Sequence, residues 1–283
     1  MRPLYLTFLL LCSIASSAQD GLEGVMVETY YVSSGNETKG ALHSGDLPEG
    51  SVTYRIYVDL KPGFTFQAAY GSPGHPLVIE STKPFFNHVE AGSTHPNILP
   101  ERALGENIAL LDSWLSVGAA GENHLGIPKE YDSEMPDAYV HFEPGYFTHK
   151  NRHAGFTPLM RDGMQRSEHL PFPTFYQMDS SLFYLGSSTN GNKITINNGA
   201  WACMGRGAVG ADSLTTNNVL IAQLTTAGEL SFELNLLIGA PNGTSQKYVA
   251  RNPDPGEWLH KDLVYTNRKS KVKKEKNSKK KDI

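Results

Sequence analysis

Apolar and polar side chains alternate with a period of two along much of the chain. The pattern is cleanest from Ser51 to Asp59, where Val52, Tyr54, Ile56 and Val58 fall on one face. Successive side chains of an extended strand point to opposite sides, so this stretch predicts a half-buried strand with a polar outer face. Val25 to Val32, Phe64 to Tyr70, Leu77 to Glu80 and Ile108 to Val117 read as further strands, divided by turns such as Lys61-Pro62-Gly63 and Gly71-Ser72-Pro73-Gly74. The C-terminal half continues with Lys193 to Ile196, Ala200 to Met204, Asn218 to Thr226 and Glu229 to Ile238. The run Val219 to Leu224 is nearly continuously apolar, as a central strand covered on both faces would be. Thr226-Ala227-Gly228 then predicts a hairpin that returns as the alternating segment Leu230 to Leu236.

Many short strands with frequent turns predict an all-β fold, an antiparallel β-sandwich of jelly-roll type. No linker composition divides the body, so residues 19–266 read as one sandwich domain. Residues 121–190 break the rhythm and read as a long irregular insertion. Between 131 and 184 lie eleven of the chain's 28 aromatic residues and four of its ten histidines. Disordered segments lack aromatics, so this one is expected to pack, and loops of such length are usually functional.

Composition agrees with strands over surface helices: charged residues are only 19% and aromatics 10% of 283 residues. Residues 1–18 combine Arg2, an apolar stretch from Leu4 to Ile14 and the ending Ser16-Ser17-Ala18, the layout of a signal peptide. The expected location is therefore secreted: cell surface or periplasm. No later run approaches the roughly 18 apolar residues that a membrane helix requires. Cleavage there would leave Cys203 as the sole cysteine, a buried thiol in the run Ala200 to Met204 with no disulfide partner.

The formal charge of −4 conceals an asymmetry. Residues 267–283 carry nine basic and two acidic side chains, a net +7, and lack aromatics, which predicts a disordered Lys-rich tail able to contact anionic surfaces. The body from 19 to 266 has fifteen basic and 27 acidic side chains, about −12. Such a body repels phosphates, so nucleic acid is excluded as its partner.

No Gly-x-Ser-x-Gly elbow, His-Glu-x-x-His motif or Gly-rich phosphate loop is present. The insertion offers other chemistry. Tyr131, Tyr139, Tyr146, Phe147, Tyr176 and Tyr184, interleaved with amides and charges, have the composition of a carbohydrate-binding face. Asp132, Glu134, Asp137 and Glu143 supply hard oxygen ligands on a stretch without lysine or arginine, and make Ca²⁺ the candidate cofactor. His141, His149 and His153 give a weaker transition-metal pattern. The expectation is an exported, non-catalytic binding or surface-structural module for polysaccharide or an envelope protein. The alternative is a secreted carbohydrate-active enzyme using paired carboxylates of the insertion.

Several strings in order carry a resemblance: Val52 to Val58, Ala68-Ala69-Tyr70-Gly71, Leu111 to Gly118, Asn198 to Ala202, Val219 to Thr226 and Gly228 to Asn235. Together they resemble an uncharacterised secreted domain of Bacteroidetes and other environmental bacteria, often found beside type IX secretion sorting domains. The resemblance spans roughly residues 22–260 and is poorest over 121–190. It implies a compartment and a surface role, not a reaction. The Lys-rich end departs from that pattern, where a sorting domain would stand.

Overall fold

The computed structural model describes residues 20–35, 45, 47–100, 108–132, 163–178, 185 and 191–268. The strands in the first half are β1 (Leu22–Val32), β2 (Val52–Leu60), β3 (Thr65–Gly71), β4 (Leu77–Ser81), β5 (Trp114–Leu115), β6 (Ala119–Gly121) and β7 (His124–Gly126). They continue as β8 (Met164–Arg166), β9 (Pro173–Tyr176), β10 (Lys193–Ile196), β11 (Gly199–Cys203), β12 (Asn217–Thr226) and β13 (Leu230–Glu233). The last four are β14 (Leu236–Gly239), β15 (Ser245–Val249), β16 (Glu257–Leu259) and β17 (Val264–Thr266).

These strands build an all-β sandwich. One sheet has the order β1-β2-β12-β5; a six-stranded sheet runs β16-β15-β14-β3-β11-β9; a third is β10-β4-β13-β17; a small one is β6-β7-β8. Every ladder among the described strands is antiparallel except β15 with β16. The main core joins Tyr54, Ile56 and Val58 of β2 and Val219, Ile221 and Leu224 of β12 to Phe66, Ala69, Ile79, Trp201, Phe232 and Leu236. Trp114 and Trp201 are buried, and so is Cys203, as anticipated; burial pushes the Cys203 thiol up, so it stays protonated.

Three local expectations change. The first concerns β2, which is not half-exposed: Thr53, Arg55 and Tyr57 on its second face are 0–1% exposed. Tyr57 joins a second core with Leu220, Trp114, Leu110, Leu111, Tyr30, Phe86 and Met164. The polar residues of this face are tolerated because they bond one another. Arg55 Nε donates to Gln223 Oε1 at 2.9 Å and Nη1 to the Gly163 carbonyl at 2.8 Å, with Cζ 3.6 Å from the Tyr30 ring centroid.

The second concerns residues 108–117, which are not one strand. Ile108–Leu111 is a short 3₁₀ turn, and only Trp114–Leu115 joins the sheet. Side chains of β12 replace the missing ladder: Gln223 Nε2 donates to the carbonyls of Leu110 (2.7 Å) and Asp112 (2.8 Å), and Thr225 Oγ1 donates to that of Leu111 (2.6 Å).

The third concerns β12 and β13, which form no hairpin. β12 is already paired with β2 and β5, so β13 pairs with β4 and β17 in another sheet. The turn between them crosses tightly against the end of β4. A Cβ at Gly228 would stand 2.4 Å from Ser81 Oγ and 2.5 Å from Lys83 N.

Candidate functional site

The strands at the two ends of the insertion come together beside the second core. β6 and β7 are joined by a two-residue turn, Glu122-Asn123, and β8 adds to the far edge of β7. From β8 the chain runs through Glu168 to Phe172 into β9, and cross-bonds stitch it to its neighbours. Ser167 N donates to Asn123 O at 2.8 Å, Glu122 N to Leu99 O at 3.0 Å, and Asn97 Nδ2 to Pro171 O at 3.0 Å. Asn123 (φ 56°) and His169 (φ 62°) hold left-handed backbone conformations, which non-glycine residues adopt at a cost and which cluster at functional sites.

These segments enclose a cleft of about 450 Å³ lined by Asn97, Glu122, Asn123, Arg166, Glu168, His169, Leu170 and Phe172. The volume suits a small ligand or part of a larger one. Phe172 is 59% exposed and offers a free ring, with the His95 imidazole edge-on at 5.7 Å. Burial lowers the His95 pKa, with Asn97 opposing, which favours the neutral imidazole. Asn97 is buried, with its Nδ2 spent on Pro171 O and its Oδ1 closed off from solvent. The cleft thus presents an aromatic face, a guanidinium and two carboxylates to one small volume. A second cavity of about 500 Å³, beside Phe85, Phe86 and Val89, has only Lys83 among its charged side chains.

Of the ten sequence-predicted site residues, Tyr131, Tyr176 and Asp132 lie among the described ones. Tyr131 sits in a turn closed by its N–H on Pro128 O and is 51% exposed; the charge of Glu130 raises its phenol pKa. Tyr176 ends β9 opposite Ala200 and is 61% exposed. Neither lines the cleft. Asp132 Oδ2 accepts the Gly163 N–H at 2.9 Å and so closes the neck of the insertion. Tyr139, Tyr146, Phe147, Tyr184, Glu134, Asp137 and Glu143 lie outside the described residues, as do His141, His149 and His153. Among the described residues, one group has metal-holding geometry: His75 with Asp254 and Glu257, far along the chain from those candidates.

Seven of the eight residues that line the cleft fall within 121–190, and none of them is among the ten site residues named from the sequence. Asn97 lies outside the insertion, and Phe172 sits in a Pro-Phe-Pro string that reads as a turn. The available signal was Gly121-Glu122-Asn123, where asparagine tolerates the left-handed turn that puts Glu122 on the rim.

The strings that carry the family resemblance prove architectural. In Leu111 to Gly118, Asp112 accepts backbone N–H groups of His88 and Ser93, Ser113 Oγ accepts Thr225 N–H, and Ser116 Oγ donates to Ala119 O. Gly199 of the Asn198 to Ala202 string lies where a Cβ would meet Tyr176 O at 2.5 Å. No family model, curated protein or solved structure matches the chain.

Proposed function

We propose that this protein is an exported, non-catalytic module that binds polysaccharide in the cleft between Asn97, Glu122, Arg166 and Phe172. The observation that carries the reading is the cleft's chemistry: an exposed aromatic ring beside a guanidinium and two carboxylates able to hydrogen-bond. A sugar ring needs that combination, since its C–H face packs on an aromatic ring while its hydroxyls require donors and acceptors together. The signal-like residues 1–18 and the resemblance to secreted domains support the exported location. The Lys-rich tail serves as an electrostatic tether to an anionic envelope surface. No helix among the described residues is long and apolar enough to cross a membrane.

A second reading has its own observation. Glu122 and Glu168 both line this cleft and both belong to the insertion, and glycoside hydrolysis uses a pair of carboxylates. One experiment separates the two. The full chain is run by affinity electrophoresis through a panel of neutral polysaccharides, so that the basic tail contributes no charge attraction. Retention by at least one polysaccharide is expected, weakened about tenfold by Phe172→Ala, the loss of one stacking contact of roughly 1.5 kcal/mol. Retention by none, or retention unchanged in the variant, sinks the reading. Release of reducing ends from the retained polysaccharide, abolished by Glu168→Gln, establishes the enzyme instead.

A further inference from the structure

The turn between β3 and β4 and the loop before β16 bring together one imidazole and two carboxylates. His75 Nε2 stands 3.1 Å from Glu257 Oε2 and 3.5 Å from Asp254 Oδ2. The three ligand atoms all lie within 4.8 Å of one another. Both supports are firm. Ser72 and His75 exchange backbone hydrogen bonds at 3.0 and 2.9 Å, and Asn235 Nδ2 donates to His75 O at 2.9 Å. Asp254 N donates to Glu257 Oε2 at 3.0 Å while Glu257 N donates to Asp254 O at 2.9 Å, which fixes both acids on one turn. The His75 and Glu257 side chains are 7% and 10% exposed, and that of Asp254 is 77% exposed, so the trio is walled by protein and open at one side.

The charge balance asks for a cation at this point. Nε2 carries at most one hydrogen, yet two carboxylates face it, and among the described residues no lysine or arginine pairs with either. The nearby Arg251 is committed to Glu233 at 2.7 Å. Two negative charges thus share one imidazole.

We propose that His75, Asp254 and Glu257 form a binding site for a divalent transition metal of the zinc class, with an open position left for water. The spacing fits. Ligands about 2.0–2.2 Å from a tetrahedral Zn²⁺ stand roughly 3.3 Å from one another, and the two Nε2–carboxylate separations, 3.1 and 3.5 Å, bracket that value. An imidazole ligand disfavours Ca²⁺ and Mg²⁺, which take oxygen, and two carboxylates neutralise the ion's charge. Three protein ligands with one face open is the arrangement of an exchangeable site, in contrast to the closed four-ligand structural type. The bound ion would tie β16, the parallel edge strand, to the β3–β4 turn.

The test is calorimetric titration of the full chain with Zn²⁺ after removal of metal with EDTA and exchange into chelator-free buffer. Saturable binding at micromolar or lower concentration is expected, undisturbed by excess Ca²⁺. It should weaken tenfold or more in Asp254→Asn and in His75→Asn, with His141, His149 and His153 left intact as controls for binding elsewhere. Asp254 is exposed, so its variant should melt like the parent in the metal-free state and keeps the test valid even if His75→Asn fails to fold. Absence of micromolar binding, or binding of equal affinity in Asp254→Asn, overturns the proposal.

Discussion

Single buried polar residues hold the irregular parts of this protein in place, and Asp112 is the clearest. Its Oδ1 accepts the His88 N–H and its Oδ2 the Ser93 N–H, both at 2.8 Å, so one carboxyl group shapes the loop 88–93. Burial pushes Asp112 up to about 8, against the pull of backbone donors at Ser93, His88 and Ser113. An unfolded aspartate titrates near 4, so across the interval up to about 8 the folded state keeps a proton that the unfolded chain releases. The Asp112 contribution is therefore full in acid and declines as pH rises through that interval. His88 has the opposite sign, since burial depresses its imidazole and its contribution falls away as pH drops below about 6.5. Asp112→Asn keeps one acceptor and turns an NH₂ toward the other N–H, at a cost of about 1–3 kcal/mol. Thermal melting between pH 5 and pH 9 should show the variant below the parent at the acid end, with a flatter alkaline arm that closes the gap. An alkaline slope identical to that of the parent would assign the titration to another group.

At the scale of elements, β2 and β12 are the frame on which both cores are hung. Their inner faces were legible in the sequence because Val52, Tyr54, Ile56 and Val58 alternate without interruption, and the run Val219 to Leu224 announced double coverage of β12. What covers β2 on its second face was not legible, because Thr53 and Arg55 are polar residues that a local pattern assigns to water. Their burial follows from partners about 110 to 170 positions away, namely Gly163, Thr225 and Gln223. The missed crossover after β12 has the same origin: Thr226-Ala227-Gly228 has the chemistry of a hairpin turn, and only the occupied edges of β12 send β13 to β4. Arg55 joins β2, β12 and the neck of the insertion through a planar fork stacked on Tyr30, a geometry lysine cannot reproduce. Arg55→Lys should lower the free energy of unfolding by about 2–3 kcal/mol in a urea titration. Hydrogen exchange should quicken at Gly163, whose N–H is held by Asp132 and whose carbonyl is held by Arg55. Unaltered exchange at Gly163 would show that the neck closes without Arg55.

For the molecule as a whole, charge separates the two proposed modes of contact, which binding experiments must keep apart. The body carries about −12 and residues 267–283 carry +7. The chain enters that segment from β17, and Arg268 is held to Glu80 by a 2.7 Å ion pair, so the basic run starts at the edge of the β10-β4-β13-β17 sheet. Residues 269–283 lie outside the described residues. Each lysine near an anionic surface contributes about 1 kcal/mol, an attraction that fades over a Debye length of about 10 Å at 0.1 M salt. The proposed sugar site would bind through stacking and short hydrogen bonds, which salt hardly screens. Anionic lipid vesicles should therefore capture the full chain at low ionic strength and release it as salt rises several-fold. Retention on a neutral polysaccharide should not change over the same range. Vesicle binding that persists in high salt would remove the electrostatic tether, and polysaccharide retention that collapses with salt would move recognition from Phe172 to the charges of Arg166, Glu122 and Glu168. Either result would be read directly from the salt dependence, because the proposed contacts lie in different parts of the chain and rest on different physics.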